Sequence, residues 1–180
     1  DEVKMIKISV CDDDEGQLTF FKQCFMEYNE KHKEKIEANF YQSVQSLLNE
    51  KKFSPDVYFL DIELQDGNGL KLAGKIRTRN SKIPIVFITS HEEFMPEAFH
   101  VHAYQYLNEK KNAQAVENVL NQLADYFSEQ NQIFSFQTYG EMISLDCRDI
   151  ICFTSEKRKN IVIAESGEFE YYGKFSDIMD

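Results

Sequence analysis

Apolar positions follow two interleaved rhythms up to about residue 131, and a single rhythm after it. KISV (Lys7–Val10), DVYFLD (Asp56–Asp61) and PIVFITS (Pro84–Ser90) are short, almost wholly apolar runs rich in β-branched and aromatic residues. Such runs predict strands buried on both faces. IEANFY (Ile36–Tyr41) alternates as a strand, and AYQYL (Ala103–Leu107) is a fifth strand. Between them the spacing turns helical. From Gly16, Leu18, Phe21, Cys24, Phe25 and Tyr28 share one side, and Ser43 opens a short helix as its cap. From Gly69, Leu70, Leu72, Ala73 and Ile76 point inward; EEFMPEAFH is helical with Pro96; and a long closing helix starts at Asn112. Five βα units of this kind predict an α/β fold, a doubly wound five-stranded parallel sheet with helices on both faces. Its ligand site belongs at the carboxyl ends of the strands.

After Asn131 the pattern is purely that of short strands. IFSFQ, EMISL, DIICFTS, NIVIAES and EFEYYG are separated by YG, CR, EKRK and SG turns, and FSDIMD reads as a helix start capped by Ser176. A small all-β piece therefore follows the α/β one, with the junction at residues 128–132.

Composition narrows the class. With 180 residues, 42% of them hydrophobic and 13% aromatic, the chain can bury a sizeable core. It has no run of 18 apolar residues to span a membrane, and a cytoplasmic, membrane-free protein is the expectation. Four scattered cysteines (Cys11, Cys24, Cys147, Cys152) without CxxC spacing read as reduced thiols. The net charge of −11 excludes a chain that acts as a whole as a basic sheath for nucleic acid. A local basic loop is not excluded by that sum.

Polar groups stand at three strand ends. CDDDEG puts Asp12 and Asp13 directly after the first strand, Asp61 closes the third, and Thr89 and Ser90 close the fourth. A parallel sheet brings these ends together. Converging carboxylates repel and raise one another's pKa unless a cation joins them. Mg²⁺, a hard ion that prefers oxygen ligands, removes the conflict and presents open positions to phosphoryl oxygens. The plainer reading of DDDE alone is a helix N-cap with favourable charge at a helix start. Gly67 and Gly69 make room beside Asp61.

KISVCDD, VYFLDIELQDGNGLKLAGKIR and IPIVFITSHEEFMPEAFHVHAYQYL, in that order, resemble the receiver domain of two-component response regulators, a flavodoxin-like fold. The resemblance covers residues 5–130. CDDD, FLDIEL and AFHVHAYQYL look most like regulators that carry a LytTR-type DNA-binding domain, and residues 132–180 are similar to the start of that domain, apparently truncated about halfway. The resemblance implies that Asp61 accepts a phosphoryl group from a histidine kinase. It implies that Asp12, Asp13, Asp61 and the backbone carbonyl of Glu63 hold Mg²⁺, and that Thr89 bonds the phosphoryl oxygens. Tyr106 would be the aromatic that swings inward as Thr89 moves, or a plain core or surface aromatic; both readings stand.

Two departures qualify the resemblance. Glu109 occupies the place of an expected lysine, with Lys110 one residue late, and Gln65 stands where proline is common. Either Lys110 reaches the phosphate, or switching is altered. In the tail, Lys157, Arg158 and Lys159 share one turn and are candidate DNA contacts, against a gatekeeping role for a hairpin turn. Residues 132–180 nevertheless carry five basic and nine acidic side chains, a balance of −4 that is poor for DNA affinity.

The expectation is a phosphorylation-controlled transcription regulator, not an enzyme, that dimerises on phosphorylation. Phe94, Phe99, Val101 and Tyr104 are the candidate dimer contacts. A receiver-like module that signals without phosphorylation, favoured by Glu109, and a Mg²⁺ phosphotransferase or phosphatase with a DxE at Asp61 and Glu63 are the competing classes.

Overall fold

The computed structural model describes residues 5–90, 92–108, 111–130, 133–138, 140–156 and 159–171. Expectations for Glu109, Lys110, Lys157, Arg158 and the helix at Ser176 lie outside these residues. The chain divides into two compact units, Asp1–Gln122 and Leu123–Asp180.

The first unit alternates strands and helices as expected. β1 (Met5–Cys11) leads to α1 (Glu15–Lys31), β2 (Lys35–Tyr41), α2 (Val44–Asn49) and β3 (Val57–Leu60). A small ribbon follows, β4 (Glu63–Leu64) paired antiparallel with β5 (Gly67–Asn68). Then come α3 (Gly69–Arg79), β6 (Ile85–Ile88), a 3-10 turn (Glu92–Phe94), α4 (Met95–His100), β7 (Gln105–Leu107) and α5 (Ala113–Gln130), whose residues from Leu123 on belong to the second unit. The large sheet is parallel throughout, in the order β2-β1-β3-β6-β7. Strand order reverses between β1 and β3, which is where such sheets hold ligands.

The periodicities explain the layers. Every residue of β6 is buried, as are Ile8, Val10 and Cys11 of β1, because helices cover both faces. Leu18, Phe21, Cys24, Phe25 and Tyr28 of α1 are buried on one side. The rings of Phe21 and Phe25 stand edge-on to Phe59 at centroid distances of 5.9 and 5.8 Å. Each fully buried phenylalanine contributes roughly 1.5–3 kcal/mol, and this trio fixes α1 over the sheet. On α3, Leu72, Ala73 and Ile76 are buried, while Leu70 is half-buried against the same core. Arg77 then locks the far end of α3. Its guanidinium donates to the carbonyls of Ile83 (2.6 Å), Val101 (2.8 Å) and His102 (2.9 Å), where His102 adopts φ +51°.

The second unit holds β8 (Ile133–Thr138) paired antiparallel with β9 (Glu141–Asp146). A 3-10 turn (Cys147–Asp149) leads into an antiparallel sheet of β10 (Ile150–Glu156), β11 (Lys159–Ala164) and β12 (Gly167–Tyr171). Buried Phe136, Val162 and Tyr171, with Phe134, Phe153 and Phe169 packed around them, form its core. Gly140 and Gly167 take φ of +94° and +139° at the turns, conformations that glycine tolerates without strain.

Candidate functional site

Three of the expected site residues share one structural position. Asp12, Asp61 and Thr89 each follow the last residue of a strand, and the ladder extends one bond to each. Asp12 N–H donates to the Tyr41 carbonyl (3.1 Å), Asp61 N–H to Cys11 (2.8 Å) and Thr89 N–H to Leu107 (3.0 Å). Asp61 is thus one residue beyond β3 and not its last residue, but it is held as firmly as one. Exposure is 0% for Asp12, 2% for Asp61 and 0% for Thr89, so the sheet edge buries polar groups where it would normally release them.

Carboxylate oxygens of Asp12, Asp13 and Asp61 lie within 4.8 Å of one another. Each is oriented by local bonds. Asp12 Oδ1 accepts from Asp14 N–H (2.8 Å), Asp13 Oδ2 from Gln65 N–H (3.0 Å) and Asp61 Oδ1 from Ile62 N–H (2.8 Å). The acidic run divides its labour: Asp14 is the N-cap of α1, accepting from Gly16 and Gln17, while Asp12 and Asp13 face the cluster. The N-cap reading of DDDE applies to Asp14, and Asp12 and Asp13 are the residues to which the metal expectation refers. The negative field of the cluster reaches the Cys11 thiol. Burial, and then the charges of Asp66, Asp12, Asp61 and Asp13, push its pKa up to about 12, leaving it an inert thiol.

An open cleft lined by Asp13, Asp61, Glu63, Gln65 and Asn68 gives access to the cluster. Its wall is the β4–β5 ribbon, pinned on two sides. Gln65 is bonded to Asp13, and the Asp66 carboxylate accepts from Val44 N–H and Gln45 N–H, both at 2.9 Å. Those two bonds, Gln45 first, hold the Asp66 carboxyl below the usual carboxylate range. Asn68 caps α3, accepting from Leu70 and Lys71. The glycines match these approaches. A Cβ on Gly69 would collide with the Asp61 carbonyl, and one on Gly67 would meet Val44 Cγ2 at 2.9 Å. Asp66 escaped sequence reading, because DGNG looks like an ordinary turn until its partners at residues 44 and 45 are known, whereas Asn68, a cap with partners two and three residues on, carried a local signal that was passed over.

Tyr106 lies on β7 beside Phe87 and packs, half-buried, against the core under α3. Lys159 is placed differently from expectation. It is the first residue of β11, not part of a turn, and its ammonium pairs with Glu170 at 2.7 Å. Of the four candidate dimer contacts, Phe94 and Val101 pack on the core, and Tyr104 O–H donates to the Gln122 carbonyl. Phe99 is 82% exposed.

Sheet order and the carboxylate cluster at its switch point define a class, the receiver-type doubly wound α/β domains. Residues 8–121 match the family described as the response regulator receiver domain, and the chain belongs to that family. It is the receiver domain of a two-component response regulator. Among curated relatives, an uncharacterized response regulatory protein of Yersinia pestis is 29% identical over 120 residues, covering 67% of this chain and 49% of that protein. The sensory transduction protein LytR of Staphylococcus haemolyticus is 32% identical over 111 residues, covering 62% and 42%. The chain thus spans about half, or less, of the length of these relatives. Among solved structures, the response regulatory domain of mrkE from Klebsiella pneumoniae aligns with TM-score 0.59 and 24% identity, over 69% of this chain and all of that one. Response regulator TrrA of Thermotoga maritima, solved in complex with Mg²⁺–BeF, aligns with TM-score 0.57 and 22% identity over 66% and 99%. These structural likenesses bear on the fold, which is the doubly wound receiver fold followed by C-terminal β-strands. No described helix is long and apolar enough to cross a membrane.

Proposed function

We propose that this protein takes a phosphoryl group onto Asp61 and thereby controls transcription. The meeting of Asp12, Asp13 and Asp61 within 4.8 Å beside an open cleft carries the reading. Three carboxylates so close favour a cation, and an all-oxygen donor set suits Mg²⁺. Asp12 and Asp13 would hold it, with Asp61 and the Glu63 backbone carbonyl. When bound, Mg²⁺ supplies positive charge that neutralises phosphoryl oxygens. Asp61 acts as nucleophile: a carboxylate oxygen bonds to phosphorus of a kinase phosphohistidine as the P–N bond breaks, and the imidazole leaves with a proton from solvent. The Ile62 N–H bond to Oδ1 and the ladder bond at Asp61 N–H orient that carboxylate, which lowers the entropic cost of attack. The Thr89 hydroxyl donates to the transferred oxygens, and Tyr106 follows its movement. Lys110 pairs with the same oxygens in place of the lysine that Glu109 displaces.

The group stays on the protein's own side chain, so the protein is a switch and not an enzyme acting on others. Its partners on this reading are a histidine kinase, DNA and a second copy. The curated relatives named LytR support a transcriptional output. Residues 5–130 would form the receiver and 132–180 the first part of a LytTR-type DNA-binding domain, with Lys157, Arg158 and Lys159 near DNA. The exposed Phe99 supports a dimer face on α4.

Intact-mass spectrometry after incubation with acetyl phosphate and Mg²⁺ tests the reading. One phosphoryl addition, absent with EDTA and absent in Asp61→Asn, is the expected result. If no mass is added while Mg²⁺ still binds, the protein is a receiver-like module that signals without phosphorylation, as Glu109 favours.

A further inference from the structure

Away from the carboxylates, α2, α3 and the amino end of β3 enclose a cavity of about 570 Å³. That size is typical of sites for small organic molecules. Its floor is apolar, formed by buried Leu47, Ile76 and Ile83 with the half-buried ring of Tyr58. No hydrogen bond to the Tyr58 hydroxyl occurs among the described residues. Tyr41, in the same core cluster, is nine-tenths buried, and its hydroxyl has no partner there either. Buried hydroxyls are rarely left unsatisfied, which makes the Tyr41 hydroxyl, behind the cavity lining, the unusual one; the Tyr58 hydroxyl is not fully buried and stands in the lining itself. Burial pushes the Tyr58 phenol up, as does Tyr41, while Arg79 draws it back, which puts both residues within electrostatic reach of it.

The rim is basic. Lys75 and Arg79 stand one turn apart on α3, exposed, with no ion pair among the described residues. The lining carboxylate, Glu50, already accepts from Lys52 N–H (2.6 Å) and Phe53 N–H (3.4 Å) of its own loop. Lys51, Lys52 and Lys82 flank the lining in sequence, a local excess of cations on a chain of net charge −11. The last-turn cations of α3 also complement its carbonyl end. That role explains the charge of Arg79, but not that of Lys75, nor the cavity and the Tyr58 phenol in its lining.

We infer that this cavity binds a small organic anion, an apolar body bearing one carboxylate or phosphate head. The body rests on Leu47, Ile76 and Ile83, the head lies between Lys75 and Arg79, and a phenol O–H donates to it. The site is independent of phosphoryl transfer to Asp61, so either can fail alone.

The test uses 2-naphthoate, 2-naphthyl phosphate, neutral 2-naphthol and inorganic phosphate. The chain has no tryptophan, so naphthalene fluorescence is read against tyrosine alone. Amide shifts in ¹⁵N spectra locate the binding. At least one organic anion should saturate a single site, shifting Leu47, Tyr58, Ile76 and Ile83. Naphthol and inorganic phosphate should bind at least tenfold more weakly, and the better anion identifies the head. Lys75→Gln with Arg79→Gln should weaken the anion at least fivefold and leave naphthol unchanged, with an unaltered amide spectrum elsewhere reporting an intact fold. Shifts at other sites, equal binding of naphthol, indifference to the double variant, or occlusion of the cavity by self-association would each overturn the inference.

Discussion

Gly69 and Gly74 both lie on α3, yet the structure asks opposite things of them. Gly69 permits the chain to pass against the Asp61 carbonyl, whereas nothing lies within 4 Å of a Cβ built on Gly74. Overpacking against rigid backbone costs typically 1–3 kcal/mol, so Gly69→Ala should lose about 3 kcal/mol and disturb the nucleophile's own peptide. Gly74→Ala should gain roughly 0.5–1 kcal/mol, because alanine loses less backbone entropy in a helix. Urea midpoints at constant slope distinguish the two. A Gly74→Ala variant that is less stable than its parent would contradict the open space found there. Asp12, Asp61 and Thr89 were legible because each breaks an apolar run at its end. Gly74 was not, since a glycine inside an amphipathic pattern reads the same whether crowded or free.

At the scale of elements, the β4–β5 ribbon and α2 are joined through one carboxylate. Asp66 ties the wall of the cleft to the N-terminus of α2, where unpaired N–H groups and the helix dipole favour a negative charge. Its pKa is lowered by folding. The unfolded side chain titrates at about 3.9, so the stabilisation is complete above that value and is lost as pH falls through the lower folded one. Amide exchange at Val44 and Gln45 should therefore accelerate, relative to the intrinsic rate, only below about pH 4. Asp66→Ala should show the faster exchange already at neutral pH. Protection unchanged in that variant would mean the ribbon is held by Gln65 and Asp13 instead. Sequence reading located α2 to within a residue but took the ribbon for a glycine loop, and the link between the two spans 21 and 22 positions and leaves no local pattern. The clamp from Arg77 to Val101 and His102 is hidden for the same reason.

For the whole molecule, the two units give a metal effect a definite address. If Mg²⁺ binds the carboxylate cluster, it stabilises the unit that contains it by RT ln(1 + [L]/Kd), about 2.7 kcal/mol at a hundredfold excess over Kd. Native-state hydrogen exchange should slow in β1, β3 and β6 on adding Mg²⁺, return with EDTA, and stay unchanged in β8–β12. Asp12→Asn should abolish the protection. Equal slowing in both units would place the ion elsewhere.

The sequence alone determined the α/β order, the β-rich tail and the candidate carboxylates, because periodicity and strand-end polarity are local properties of the chain. It could not determine which acidic residue caps α1 and which faces the cluster, since Asp12, Asp13 and Asp14 are chemically identical and differ only in direction. Nor could it show that Lys159 is paired with Glu170, or that a basic-rimmed cavity forms between α2 and α3. Tertiary structure decided these, because each depends on groups brought together by the sheet order and by helix packing.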